Sequence, residues 1–183
     1  MRKFGFVVLI VLLCSAGLWA QSGTAFADKP AFLTSIGQSA DIEMIRVLMT
    51  RAGIPFKADA VIQANGLNAS DKTLVLVIGG SSKGLGAAGI SVEDEMKRAQ
   101  ALVTQARTLG MKIIAVHVGG EARRGSLSDG FIKYAVPLAD YVIVVSDGDK
   151  DGLITGLAGD AKIPVNKVER ISAVGAPLTA AFR

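Results

Sequence analysis

The chemistry-bearing residues of this 183-residue chain collect in a few short glycine-rich stretches. The longest is Gly79-Gly80-Ser81-Ser82-Lys83-Gly84-Leu85-Gly86-Ala87-Ala88-Gly89. A glycine-rich turn carrying two hydroxyls and a lysine can point backbone N–H groups at an anion, so a phosphate or carboxylate is the natural ligand for it. Arg123 and Arg124, in Gly119-Gly120-Glu121-Ala122-Arg123-Arg124-Gly125, can add charge and bidentate hydrogen bonds. The anion-site residues expected on this basis are Ser35, Gly37, Gln38, Ser39, Gly80, Ser81, Ser82, Lys83, Gly84, Gly86, His117, Gly119, Gly120, Arg123 and Arg124.

The same residues also fit other patterns. Gly80-Ser81-Ser82-Lys83-Gly84 has the G-x-S-x-G form of a nucleophile elbow, and His117, the only histidine, could serve Ser82 as base with Asp129 or Asp147 orienting it. The order Ser, His, Asp departs from the Ser, acid, His order of that architecture, and no helix is expected directly after the serine. A serine hydrolase is therefore the enzymatic alternative to ligand binding, and a partner-binding envelope protein is the third reading. Gly84-Leu85-Gly86-Ala87-Ala88-Gly89 is literally G-x-G-x-x-G. Five residues separate it from Ile78, however, and Leu109 stands where a ribose-binding acid belongs, so dinucleotide binding is not expected. A P-loop fails because leucine, not Lys-Ser/Thr, follows Gly84. Asp147-Gly148-Asp149-Lys150-Asp151-Gly152 opens like a calcium loop, with Asp147, Asp149 and Asp151 as ligands. Position twelve is Ala158, not the bidentate glutamate, so a turn with a charged helix cap is the stronger expectation, and no metal or cofactor is implied.

Positioning these residues falls to a set of apolar runs. Ala31–Ile36, Thr73–Ile78, Lys112–Val118 and Tyr141–Val145 read as strands. The middle ones are continuous rather than alternating, as suits strands covered on both faces of a parallel sheet. Lys167–Ser172 is a charge-bearing edge candidate, and 55–72 has room for another short strand. Between them, Ile42, Ile45, Leu48 and Ala52 follow a helical spacing after Ser39. A capping box at Ser91 and Asp94 introduces the stripe Met96, Ala99, Leu102, Val103, Ala106, Leu109, which Gly110 ends. Segments 127–139 and 151–160 are weaker helices. The expectation is a three-layer α/β/α sandwich of flavodoxin- or Rossmann-like form, around a mostly parallel sheet of five or six strands. Ligands of such sheets bind beyond the carboxyl ends of the strands, and the glycine, hydroxyl and basic residues fall at those ends.

The amino terminus carries an address. Arg2 and Lys3 precede an apolar stretch from Phe4 to Ala20, and Ala25-Phe26-Ala27 makes a small-residue exit before Asp28. Residues 1–27 thus read as a cleavable export signal, with 28–183 as one α/β domain in the periplasm or outside the cell. Cleavage would take away Cys14 and Trp19, the only residues of their kinds. The exported segment would then hold no thiol for disulfides, zinc or nucleophilic attack. The net charge falls from +4 to +2 once Arg2 and Lys3 are gone, and few aromatics remain, so neither nucleic acid nor stable membrane insertion is expected as a partner.

The runs Thr34-Ser35-Ile36-Gly37-Gln38-Ser39, Ile78 through Ile90 and His117 through Gly125, together with Ser128-Asp129, resemble a domain-of-unknown-function family of exported bacterial proteins. That resemblance implies export and a single domain over nearly the whole segment after the signal. It carries no activity to any residue.

Overall fold

The computed structural model describes residues 25–183. Most of the expected signal segment, 1–24, therefore lies outside the described residues. Six strands form one sheet in the order β2-β1-β3-β4-β5-β6, and every pairing is parallel. They are β1 (Ala31–Ile36), β2 (Phe56–Ala58), β3 (Thr73–Ile78), β4 (Lys112–His117), β5 (Tyr141–Val145) and β6 (Val165–Val168). The helices are α1 (Asp41–Arg51), α2 (Ser82–Ala88), α3 (Val92–Thr108), α4 (Ser126–Ala135), α5 (Leu153–Asp160) and α6 (Gly175–Ala181).

The continuous runs are central strands because both faces are covered: every residue of β1 and β3 is buried. Leu74, Leu76, Ile113, Ala115, Val142 and Val144 face α3, α4 and α5 through Leu102, Phe131 and Ile154. The alternate residues Leu33, Val75, Val77, Ile114, Val116 and Ile143 face α1 and α6 through Ile45, Met49 and Leu178. Crossovers between parallel strands are right-handed. The chain steps one way from β1 to β2 and the other way from β3 through β6. Handedness then puts α1 on one face and α3, α4 and α5 on the other. The direction reverses between β1 and β3, and a crevice opens at their carboxyl ends.

The structure corrects two sequence expectations and locates a third element. The charged edge strand is Val165–Val168, not Lys167–Ser172, because pairing ends at Val168 opposite Val145 and Ile171–Val174 forms a 3-10 turn. The short strand in 55–72 is Phe56–Ala58, at the opposite edge. The long glycine run is not an open loop. Ser81 caps a helix whose first residue is Ser82, its Oγ accepting from the Gly84 amide at 3.0 Å, so a helix does follow the serine directly. The Ser91 cap forms as expected, with Ser91 Oγ accepting from the Asp94 amide at 3.0 Å, while the Asp94 carboxylate accepts from the Ser91 hydroxyl at 2.8 Å.

Candidate functional site

Two loops meet at the switch point. After β1 the chain turns through Gly37, at φ 89°, and Gln38, at φ 58°. After β3 it runs through Gly79 and Gly80, and the loops are bonded to one another. The Gly79 amide donates to Ile36 O at 2.9 Å and the Ser81 amide to Gly37 O at 2.8 Å. Gly80 N donates to Ser128 Oγ on α4 at 2.8 Å. The close approach explains one glycine of the run directly: a methyl group on Gly84 would sit 1.9 Å from Gln38 O. The glycines let backbone press on backbone here, and the amides of Gly79, Gly80, Ser81 and Gly84 already have acceptors inside the protein. These four amides are therefore not free to bind an anion.

Beneath these loops lies a buried ion pair. Glu95 and Arg98, on the first turns of α3, have side chains 0% and 3% exposed and pair at 2.8 Å. Glu95 Oε1 accepts from Gly37 N at 2.8 Å and from Gln38 Nε2 at 3.0 Å. The Arg98 guanidinium donates onward to Ile62 O and Ser35 O. A charge taken out of water is tolerated only when paired and hydrogen-bonded, and both members satisfy that condition. The pair fixes the unusual Gly37–Gln38 turn, and it was invisible in the sequence, where Glu and Arg three apart on a helix read as a surface pair.

His117 ends β4 and is only 2% exposed. Its Nδ1 lies 2.8 Å from Ile78 O, which makes Nδ1 the protonated nitrogen and leaves Nε2 as an acceptor. Burial pushes its pKa below the ordinary histidine value, helped by the nearby Arg124 charge and opposed by the Ile78 carbonyl, Asp41 and the Gly120 backbone. Nε2 has no hydrogen-bond partner among the described residues, and neither has Asp41 Oδ2. Asp41 opens α1 and lies over the strand ends: a methyl group on Gly79 would sit 3.4 Å from Oδ2, and one on Gly119 2.7 Å. Ser39 Oγ accepts from the Asp41 amide at 3.0 Å. Arg123 approaches this carboxylate without bonding to it, its Nε 3.7 Å away, and a third of its side chain remains exposed. Sequence reasoning named Ser39, His117 and Arg123 but missed Asp41. An acid in the first helical turn is what a macrodipole alone would select, so it gave no separate signal.

Arg124 has a different role from the one expected. It donates to Asp129 at 2.7 Å, to Gly148 O at 2.7 Å and to both oxygens of Asp151 at 2.9 Å, so its fork is already occupied. It holds the Asp151 carboxyl down at about 2. The calcium-loop residues separate in the same way. Asp147 pairs with Lys150 and Asp151 with Arg124, while Asp149 caps α5 through the Ile154 amide at 2.7 Å and pairs with Lys167 at 3.0 Å. No group of acidic, histidine or cysteine residues placed to hold a metal occurs among the described residues. A cavity of about 240 Å³ beside them is lined by Glu121, Arg124, Asp129, Asp147, Lys150 and Asp151, most of them paired with one another.

The remaining expected residues divide by burial. Ser35 and Gln38 are buried, Gln38 bonded to Ala60 O as well as Glu95, whereas Ser82, Lys83 and Gly86 are exposed on α2. Gly120 is buried, near enough to Asp147 that a methyl group on it would meet the carboxylate at 3.0 Å. No hydrogen bond joins Ser82 to His117 among the described residues, and Asp129 is committed to Arg124. The hydrolase constellation is not assembled. A larger groove of about 410 Å³, lined by Gln63, Gly89, Ile90, Asp94, Lys97 and Arg98, runs beside α3 and was not anticipated.

Residues 28–182 match the family model described as a domain of unknown function, DUF6305, and the chain belongs to that family. No curated protein matches it. Among solved structures, it is similar to a truncated form of 3-deoxy-D-arabino-heptulosonate 7-phosphate synthase from Thermotoga maritima, at 12% identity and a TM-score of 0.36. That likeness covers 87% of this chain and 51% of the other, so the chain spans about half the length of the synthase.

Proposed function

We propose that this DUF6305 member is an exported, non-catalytic binding protein for a small anionic metabolite, seated in the crevice between Ser39–Asp41, Gly79–Gly80 and Gly119–Arg123. The observation that carries the reading is that two buried acceptors near the strand ends, Asp41 Oδ2 and His117 Nε2, have no hydrogen-bond partner among the described residues, nor has Ser35 Oγ of β1. Buried polar groups are normally satisfied, and such orphans beneath the strand ends suit a partner that arrives from outside. Both are acceptors: Asp41 as a carboxylate, His117 as a neutral imidazole with Nδ1 committed to Ile78 O. The ligand therefore brings hydrogen-bond donors, hydroxyl or ammonium, as well as an anionic group. Arg123 receives the anion, because its guanidinium makes no hydrogen bond to described residues and stands at the rim. Lys83, exposed on the first turn of α2, adds positive potential. A hydroxy acid, an amino acid or a sugar phosphate has this combination.

The test is a thermal-shift panel of hydroxy acids, amino acids and sugar phosphates, with inorganic phosphate as comparison. A ligand at 100 times its dissociation constant stabilises by about 2.7 kcal/mol. The expected outcome is a shift with a donor-bearing anion that Arg123→Ala and Asp41→Asn each reduce at least tenfold in affinity. A panel with no response, or a response that neither substitution weakens, would remove the reading.

A further inference from the structure

The Ala25-Phe26-Ala27 stretch matches a signal-peptidase exit, but the fold uses two of its three residues for something else. The Phe26 and Ala27 amides both donate to Ala181 O, at 3.0 and 2.9 Å, and Ala27 O accepts from the Arg183 amide at 3.0 Å. Ala27 thereby bridges Phe182 in parallel register. Its side chain is 0% exposed and packs in the cluster that holds Leu178 and Phe182. The Phe26 ring meets Tyr141 edge-on, with centroids 5.7 Å apart and planes at 74°. Immediately afterwards Asp28 pairs with Arg183 at 2.7 Å, and its carbonyl accepts from Thr73 Oγ1 at 2.7 Å. The two ends of the described chain are thus clasped together across α6 and the start of β3.

We propose that the export signal is removed at or before the Ala25–Phe26 bond, so that Phe26 and Ala27 remain in the exported protein as the amino-terminal half of this clasp. The inference rests on the export reading. Cleavage after Ala27 would delete the acceptor of the Arg183 amide, the edge contact with Tyr141 and a fully buried side chain. It would also place a new ammonium on Asp28, the residue whose carboxylate holds the Arg183 guanidinium. Cleavage upstream costs none of these. If the new terminus is Phe26, its ammonium donates to Ala181 O at the carboxyl end of α6, where a cation is favourable. The smallness of Ala27, which made it look like a cleavage residue, has a second cause: its side chain is fully buried in the fold. Small residues suited to an exit also stand upstream, at Ala20 and in Gly23-Thr24-Ala25.

The test expresses the full 183-residue chain in a secreting bacterium and reads the exported protein by intact mass and amino-terminal sequencing. A terminus from Gln21 to Phe26 is the expected result. A terminus at Asp28 overturns the proposal while leaving export standing. A chain retained in the cell with Met1 in place removes the export reading, and the proposal falls with it. Phe26→Ala supplies an independent readout. The exported variant should be lighter than wild type by the lost ring and should melt several degrees lower. An exported variant identical to wild type in mass and melting temperature would mean that residue 26 had left with the signal, and the proposal would be wrong.

Discussion

Replacing Glu95 by alanine tests how the switch-point loops are held. Glu95 accepts hydrogen bonds from Gly37 N, Gln38 Nε2 and the Arg98 guanidinium, all between 2.8 and 3.0 Å, with its side chain fully buried. Glu95→Ala leaves the Arg98 charge buried and uncompensated, which costs about 3–5 kcal/mol. For a chain this size each kcal/mol lowers the melting temperature by roughly 2–4 °C, so the expected loss is about 6–20 °C. The double substitution Glu95→Leu/Arg98→Met removes both charges and fills the same volume. Its cost should be smaller than that of Glu95→Ala because no buried charge is left; what remains is the loss of partners by the Gly37 amide and the Ser35 and Ile62 carbonyls, at about 1–3 kcal/mol for a group left unsatisfied. Urea denaturation at pH 7 gives both numbers from the midpoint at constant slope. A Glu95→Ala protein within 1 kcal/mol of wild type, or a double variant less stable than the single one, would refute the role given to this pair. Glu95→Ala should also weaken any ligand of the Ser39–Asp41 crevice, since Gly37 and Gln38 then lose the anchor that sets their left-handed turn.

Two further outcomes follow from neighbouring residues. Gly84→Ala should destabilise by about 1–3 kcal/mol, because the added methyl meets Gln38 O at 1.9 Å and the α2 backbone must shift; Gly86→Ala, in the same helix with nothing within 4 Å, should stabilise by about 0.5–1 kcal/mol. Thermal or urea unfolding of the two variants distinguishes packed from permissive glycines, and equal effects would refute the distinction. The depressed pKa of His117 predicts a pH dependence: the unfolded state takes up a proton near 6.5 while the folded state takes it up lower, so stability is complete above 6.5 and falls as the pH is lowered through that window. The slope from one proton is at most about 1.36 kcal/mol per pH unit, and His117→Gln should flatten it between pH 6.5 and 5; an unchanged slope would assign the titration elsewhere.

Much of the layout was legible from local pattern. Continuous apolar runs at β1, β3, β4 and β5 placed the central strands, because a strand covered on both faces cannot alternate. Ser91 and Asp94 announced the start of α3, since a capping box is a contact within four residues. The glycine run defeated the same method. Its composition suggested an open turn, whereas Gly84 serves close approach to Gln38 and the run winds into α2 under the Ser81 cap.

The amino-acid sequence by itself determined the parallel α/β class, the positions of the four central strands and the gathering of glycine, hydroxyl and basic residues at strand carboxyl ends. These are consequences of periodicity and of alternating elements, which act over a few residues. Only the tertiary structure decided the order β2-β1-β3-β4-β5-β6 and hence the switch point. Only it chose among the charged groups, closing Arg124 onto Asp129 and Asp151, burying Glu95 against Arg98, and leaving Asp41 and His117 each with an unpartnered acceptor. Such choices depend on which side chains arrive together from distant parts of the chain and on how much water is left between them, and no spacing along the chain encodes either quantity.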